Sequence, residues 1–319
     1  MEQIQNGLVI TDQSGFFQVE AEDGNIYICR LRGRLLEEAN ASDVCAIGDR
    51  VKIGILSETT GTIEHVEPRT SVISRALRTA GNRGAGSPER EQVIIANADQ
   101  AFFVFAATDP APSPRMIDRF LVMGEKVGID CILVVNKIDL NNNAENPDHL
   151  IQRFKMYENI GYRVLYTSAV DGTGVEALRE LLKDKISVFT GPSGVGKTSL
   201  LNRMQEGLGR SVKAVSGYNQ EGVHTTRDSI LIKLDQGGYI ADTPGLRNLT
   251  IWDVEPEELD AYFIEIGARV PDCRFADCKH ENEPRCAVRE AVERGEISQS
   301  RYKSYLALRA EITASYVIS

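Results

Sequence analysis

The sequence predicts a chain of three parts: a small all-β barrel, an α/β domain on a parallel sheet, and a mostly helical C-terminal part that holds a metal. Three observations carry this. Short runs of β-forming residues recur five times in the first 70 residues. From Ala101 to Ala241, apolar strand-like runs alternate with helical spacing around the stretch Gly191-Pro192-Ser193-Gly194-Val195-Gly196-Lys197-Thr198. Cys273, Cys278, His280 and Cys286 then crowd into 14 residues.

Composition sets the frame. At 319 residues the chain is long enough for two or three domains, and 42% hydrophobic with 26% charged residues is the profile of a globular protein with ample core. No apolar run approaches the ~20 residues of a membrane span, and the N-terminus lacks a basic-then-apolar leader, so a cytoplasmic monomer with no membrane partner is expected. The net charge of −10 means that any nucleic-acid partner would meet local basic patches rather than a basic whole. Cys29, Cys45 and Cys131 are isolated and read as reduced core residues.

The barrel strands are Leu8–Ile10, Phe16–Val19, Asn25–Ile28, Arg50–Ile53 and Gly61–Val66, separated by turn signals at Gln13-Ser14-Gly15, Asp23-Gly24 and Ile47-Gly48-Asp49. Five strands in so short a span suggest an OB-like barrel, an architecture that often binds oligonucleotides. Arg30, Arg32 and Arg34 alternate and in one strand would share a face, which reads equally as a solvated edge or an RNA contact. From Arg69 to Gln92 five arginines are interspersed with Gly81, Gly84, Gly86 and Pro88, the composition of a flexible linker or of an arm that orders on a phosphate backbone.

Strands at Ala101–Ala106, Cys131–Val135, Arg163–Tyr166 and Ile186–Phe189 alternate with helices marked by Met116, Ile117, Phe120 and Leu121, by Leu150, Ile151 and Phe154, and by Val175, Leu178, Leu181 and Leu182. That alternation means a parallel sheet covered on both faces. A hairpin follows, Ser229–Leu234 and Tyr239–Ala241 around Gln236-Gly237-Gly238. The last part ends in a helix from about Ser298 to Ala314, with Tyr302, Tyr305, Leu306 and Leu308 near one side. The chain thus divides into a barrel over 1–70, a flexible basic linker or arm over 71–92, the α/β domain over 93–250 and a zinc-binding helical domain over 251–319.

Gly191 to Thr198 matches G-x-x-x-x-G-K-[ST] at every fixed position, with Ser199 after it. Its glycines let backbone N–H groups turn inward around a phosphate; Lys197 reaches the terminal phosphates and Thr198 offers its hydroxyl to Mg²⁺. A strand before it and a helix after it, with inner residues Leu200, Leu201 and Met204, complete the setting of a nucleoside triphosphate site.

The base is read upstream. Asn136-Lys137-Ile138-Asp139 follows an apolar strand and fits N-K-x-D, whose carboxylate accepts two hydrogen bonds from guanine; adenine offers no such donor pair. Lys137 would lie along the base and Asn136 would tie this loop to the phosphate loop. Thr167-Ser168-Ala169 resembles the loop whose backbone N–H meets guanine O6. Downstream, Asp242-Thr243-Pro244-Gly245 matches D-x-x-G: Asp242 would hold Mg²⁺ through water and the Gly245 N–H would touch the γ-phosphate. Gly222 to Arg227 supplies the switch threonine on Mg²⁺, Thr226 with Thr225 as the alternative. The base motifs precede the phosphate loop, the reverse of a Ras-like order, so the same sheet would be built from a permuted chain. The switches would then lead straight into the C-terminal domain.

Three thiolates and one imidazole at Cys273, Cys278, His280 and Cys286 complete a tetrahedral Zn²⁺ shell with no open position, a structural rather than a catalytic site. The C-x-x-C of common zinc fingers is absent.

Together, Asn97-Ala98-Asp99-Gln100, Asn136 to Asp139, Gly191 to Ser199, Gly222 to Thr226, Asp242 to Leu246 and the Cys/His cluster make the chain resemble the RsgA family of circularly permuted GTPases over almost its whole length. The resemblance implies a late role in maturation of the small ribosomal subunit and contact with its rRNA, with GTP hydrolysis stimulated by the subunit. Leu246 stands where Ras-like proteins carry the water-positioning Gln, and a Leu cannot orient water, so slow unaided turnover is expected. The resemblance suggests His224 as the substitute catalytic group beside Lys197; the plain alternative is a polar switch residue. A second reading, an RNA-binding scaffold gated by GTP with little hydrolysis, rests on the same Leu246.

Overall fold

Period-two patterning along the first 66 residues closes five strands into a barrel: β1 (Gln3–Gln13), β2 (Phe16–Ala21), β3 (Ile26–Leu31), β4 (Arg50–Ile55) and β5 (Thr60–Val66). This is seen in a computed structural model that describes residues 3–37, 44–77, 90–143, 147–209, 230–242 and 254–317. The strand order is β1-β2-β3-β5-β4 with β4 returning to β1; only β3 and β5 pair in parallel, the connectivity of an OB-like barrel. Val9, Phe17, Val19, Tyr27, Val51, Ile53 and Ile63 fill its interior. β1 outruns its apolar centre because its first half pairs with β4 from Gln3↔Ile55 to Leu8↔Arg50. The arginine row does not share a strand: Arg30 belongs to β3, Arg32 lies beyond its end, and Arg34 sits in helix α1 (Gly33–Glu37). Arg30 stacks over Phe16, and Arg32 pairs with Glu64.

The expectation of a flexible segment over 71–92 is corrected at both ends. β6 (Val72–Leu77) and β7 (Arg90–Ala96) form an antiparallel ribbon in register from Val72↔Ala96 to Leu77↔Arg90. The Gly-rich middle dominates the composition, whereas Ile73 within the segment and Val93 and Ile95 just past it are buried β-formers. The middle, 78–89, lies outside the described residues.

The α/β domain follows: β8 (Gln100–Ala106), α2 (Pro114–Val127), β9 (Asp130–Asn136), α3 (Pro147–Ile160), β10 (Arg163–Tyr166), α4 (Val175–Leu182), β11 (Ile186–Thr190), α5 (Lys197–Met204), β12 (Ile230–Lys233) and β13 (Tyr239–Asp242). The strands run β10-β9-β8-β11-β13-β12, parallel except for the β12–β13 hairpin. β8 is central and every residue in it is buried. Its alternate side chains serve opposite layers, Phe103 and Phe105 packing with Phe120 and Phe154, Phe102 and Val104 with Leu178, Leu200 and Leu201.

Barrel and α/β domain share one sheet, because β12 pairs antiparallel with β1 at Thr11↔Ile230. A second joint is more rigid. Arg69 grips the buried Asp49 through Nε and Nη2, both at 2.8 Å. Asn97 donates from Nδ2 to the Gly48 carbonyl (2.9 Å) and accepts from the Thr70 N–H (2.8 Å). The rest of that motif anchors the first strand: Asp99 accepts from the Ile186 N–H (2.7 Å), and Gln100 donates to Ser187 Oγ (2.9 Å).

Beyond residue 254, single-turn 3₁₀ segments at Leu259–Tyr262 and Val270–Asp272 are joined by α6 (Ile264–Gly267), α7 (Ala287–Glu293) and α8 (Gln299–Val317). Leu259, Phe263, Ile266, Val288, Tyr305, Leu308 and Ile312 form their core, and Val122 of α2 completes it. Tyr305 and Leu308 face inward as expected, but Tyr302 and Leu306 are only half-buried, and Arg301 is fully buried. Its guanidinium bonds Asp118 of α2 (2.7 Å) and Glu265 (2.6 and 2.9 Å) and lies over the Phe263 ring. Among the described residues, no helix is long and apolar enough to cross a membrane.

Candidate functional site

The phosphate loop spans the turn between β11 and α5, and its glycines are required by contact as well as by conformation. Gly191 has φ 152°, and a Cβ there would lie 2.1 Å from the Val104 carbonyl oxygen. Gly196 has φ 91°, and a Cβ would lie 2.5 Å from Asn136 Nδ2. Val195 is buried, Ser193, Gly194 and Ser199 are exposed, and Thr198 is half-buried at the start of α5. Leu200, Leu201 and Met204 hold that helix against the sheet. Lys197 curls over the loop, its Nζ donating to the carbonyls of Gly191 and Pro192 at 2.6 Å each. A glycine turn with no room for side chains at Gly191 and Gly196, and one ammonium lying across it, is the chemistry that receives a phosphate chain.

Asn136, the last residue of β9, links two loops. It is buried, donates from Nδ2 to the Val195 carbonyl (2.9 Å) and accepts from Thr167 Oγ1 (3.2 Å). The phosphate loop, the Asn136–Asp139 loop and the Thr167–Ala169 loop therefore meet at one side chain. Parallel pairing of β8 with β9 and β11 and of β9 with β10 brings all three to the same edge of the sheet. Lys137 takes φ 64° and donates from Nζ to the Asp109 carbonyl (2.6 Å). Ile138 packs partly against the core, and the buried Ser168 donates from Oγ to Asp139 Oδ1 (2.7 Å), setting the plane of that carboxylate. Ala169 is half-buried beside it.

Asp242 closes β13, with its backbone opposite Ile230 of β12. β13 pairs in parallel with β11, so the chain leaves Asp242 beside the strand that leads into the phosphate loop. His224, Thr225, Thr226, Gly245 and Leu246 lie outside the described residues.

Cys273, Cys278, His280 and Cys286 converge, with their donor atoms all within 4.8 Å of one another. Cys273 Sγ is 3.9 Å from Cys286 Sγ and 3.6 Å from His280 Nδ1. Arms of about 2.3 Å to zinc give a tetrahedral edge of about 3.8 Å, so these spacings fit one ion. Nδ1 faces the thiols, while Nε2 lies 3.2 Å from Asp260 Oδ2, the outer carboxylate that orients a ligating imidazole. Tyr302 and Tyr305 of α8 donate to the carbonyls of His280 (2.5 Å) and Lys279 (3.2 Å), holding the ligand loop to the long helix. Burial pushes the Cys278 thiol up to about 12 and raises Cys286, so a metal is what would hold both as thiolates at neutral pH. Among the described residues this cluster could hold a metal ion.

Local reading missed Asp260, twenty positions from its histidine, and the Asp118–Arg301–Glu265 network, whose members come from three separate elements. No spacing rule reaches either. Burial pulls the Arg301 guanidinium down, but Glu265 and Asp118 outweigh it and keep it charged.

The comparisons with known proteins agree with this geometry. The family model described as RsgA GTPase matches residues 66–252, and that of the RsgA N-terminal domain matches residues 6–63. The small ribosomal subunit biogenesis GTPase RsgA of Gemmatimonas aurantiaca is 42% identical over 308 residues, 96% of this chain and 97% of that protein. The protein of the same name from Moorella thermoacetica is 39% identical over 97% of each chain. The crystal structure of YjeQ from Thermotoga maritima superposes with a TM-score of 0.77 at 36% identity, covering 98% of this chain and 99% of the other. That of YloQ, a circularly permuted GTPase, gives 0.73 at 32% identity, covering 98% and 96%. The chain belongs to the RsgA GTPase family.

Proposed function

We propose that this chain binds GTP and hydrolyses it to GDP and phosphate as a cytoplasmic, monomeric factor in late maturation of the small ribosomal subunit, contacting the subunit's rRNA and turning over slowly until the subunit stimulates it. The observation that carries the nucleotide reading is the bond from Asn136 Nδ2 to the Val195 carbonyl, which makes base reading and phosphate binding one unit. The relatives matched over nearly their full length, named small ribosomal subunit biogenesis GTPases, support the role at the small subunit.

In this reading Asp139 accepts from the guanine edge, Lys137 lies along the base, Ile138 backs the loop, and Ser168 and Ala169 bound the O6 side. Gly191, Pro192, Ser193, Gly194, Val195, Gly196, Thr198 and Ser199 wrap the phosphates; Lys197 exchanges its two carbonyl partners for phosphate oxygens as charge develops on the γ-phosphate. Mg²⁺ would neutralise phosphate charge, held by Thr198, Thr226 and Asp242, with the Gly245 N–H on the γ-phosphate. His224 would position the water that Leu246 cannot; unchanged stimulated turnover in His224→Ala, with GTP binding intact, would remove it from the mechanism. One structural Zn²⁺ would sit on Cys273, Cys278, His280 and Cys286.

Co-sedimentation with purified small subunits tests the partner. Association with a slowly hydrolysed GTP analogue that weakens with added salt and is poorer with GDP is expected. No association in either nucleotide state would overturn the ribosomal part of the reading.

A further inference from the structure

The two joints between barrel and α/β domain differ in kind. The Asp49–Arg69–Asn97 joint is buried and multiply bonded. The other lies in the shared sheet. Among the described residues it joins the barrel to the β12–β13 hairpin by the registered pair Thr11↔Ile230, by Ile10, buried in one apolar cluster with Leu231 and Ala241, and by the charged side chain of Glu20 of β2. Glu20 accepts from Lys233 Nζ and from the Tyr239 phenol (3.0 Å), residues that face each other across the hairpin. Burial and Glu20 push the Tyr239 phenol up to about 12, so it remains a donor at neutral pH.

That hairpin has a special place in the chain. β12 begins after the segment that carries His224 and Thr226, and β13 ends on Asp242 of D-x-x-G. Its two strands are the only described structure between the two switch segments. The hairpin is covalently continuous with both segments, and Glu20 bridges its two strands through Lys233 and Tyr239.

We propose that Glu20 is a positioning residue for the nucleotide switch, holding the hairpin between the switches against the barrel so that the barrel takes part in discrimination between GTP and GDP. The inference rests on the guanine-nucleotide reading above. A tie at one end of a two-state element biases its equilibrium unless both states load it equally.

The test is equilibrium binding of GDP and of a slowly hydrolysed GTP analogue to the full chain, with thermal unfolding alongside, for wild type, Glu20→Ala and Glu20→Gln. The expected result is an affinity ratio moved about fivefold in Glu20→Ala and partly restored in Glu20→Gln, whose amide oxygen still accepts from Tyr239. A ratio unchanged in both variants overturns the inference, whatever happens to the melting temperature, since a merely structural tie would lower stability without moving the ratio. A wild-type chain that binds neither nucleotide would instead bring down the underlying reading.

Discussion

Replacing Arg301 by Met removes three charge-assisted hydrogen bonds, at 2.7 Å to Asp118 and at 2.6 and 2.9 Å to Glu265, while keeping most of the apolar stem. Both Arg301 and Asp118 side chains are 0% exposed, so the substitution leaves the Asp118 carboxylate between α2 and α8 without its cation, bonded by the Tyr157 hydroxyl at 2.7 Å, and removes both bonds to Glu265. Summing the bonds would overstate the loss, because desolving the charges already costs much of their attraction; removing one partner of a buried pair costs about 3–5 kcal/mol. Native-state hydrogen exchange of the α8 amides reads this locally, and protection there should fall by roughly two to four orders of magnitude. Burial pushes the Asp118 carboxyl above its ordinary value, so without Arg301 it takes up a proton as pH falls. The loss should therefore be larger at pH 8 than at pH 6. The double variant Asp118→Leu with Arg301→Met should recover part of the protection, because the charge stranded at Asp118 is gone while Glu265, 11% exposed, still lacks its partner. A single variant within about 1 kcal/mol of wild type, or a double variant as weak as the sum of the singles, would refute the reasoning.

Asp139→Asn puts an amide where the guanine edge needs an acceptor, so GTP affinity should fall by about a hundredfold or more while xanthosine triphosphate, with a carbonyl at that edge, gains; unchanged GTP affinity by nucleotide titration would exclude Asp139 from base reading. Elemental analysis should find one zinc per chain, and complete chelation should abolish exchange protection over residues 254–317; an intact fold after full metal removal would count against the site. Asp260→Ala should weaken metal affinity about 10- to 100-fold in competition with a chelator, through loss of the His280 Nε2 contact. Bonds from Arg119, with Arg115 beside it, hold the Glu311 carboxyl below its ordinary 4.5, so its contribution to α8 docking is complete above that value and is lost as pH falls through the lowered one. Glu311 is exposed enough that the effect is at most about 1 kcal/mol, and Glu311→Gln should flatten this acid limb of a pH-denaturation curve.

Legibility followed the range of the contacts. The phosphate loop, the strand before it and the helix after it are specified within twenty residues, and β11, the Gly191–Gly196 turn and α5 appear where spacing puts them. The Cys/His cluster is equally local. The base loops were legible as motifs, but their junction with the phosphate loop, through Asn136 and Val195, needed the order of parallel strands. Where a residue's meaning lies across the fold, pattern reading misplaced it or passed over it. Arg301 falls at what reads as a polar helix position and is buried because Asp118 and Glu265 meet it there. Glu20 is one acidic residue in a strand until β12 and β13 come beside it. The ends of the 71–92 segment were hidden by the glycines between them, since composition averages over a window while strand pairing does not.

The GTP hydrolysis rate of the purified chain, with and without purified small ribosomal subunits, tests the central claim most directly. Turnover should be slow alone, as expected of a site with Leu246 in place of the water-positioning Gln, and should rise about tenfold or more as subunits are added. A rate that stays flat across all subunit concentrations would contradict it and leave a nucleotide-gated scaffold in its place.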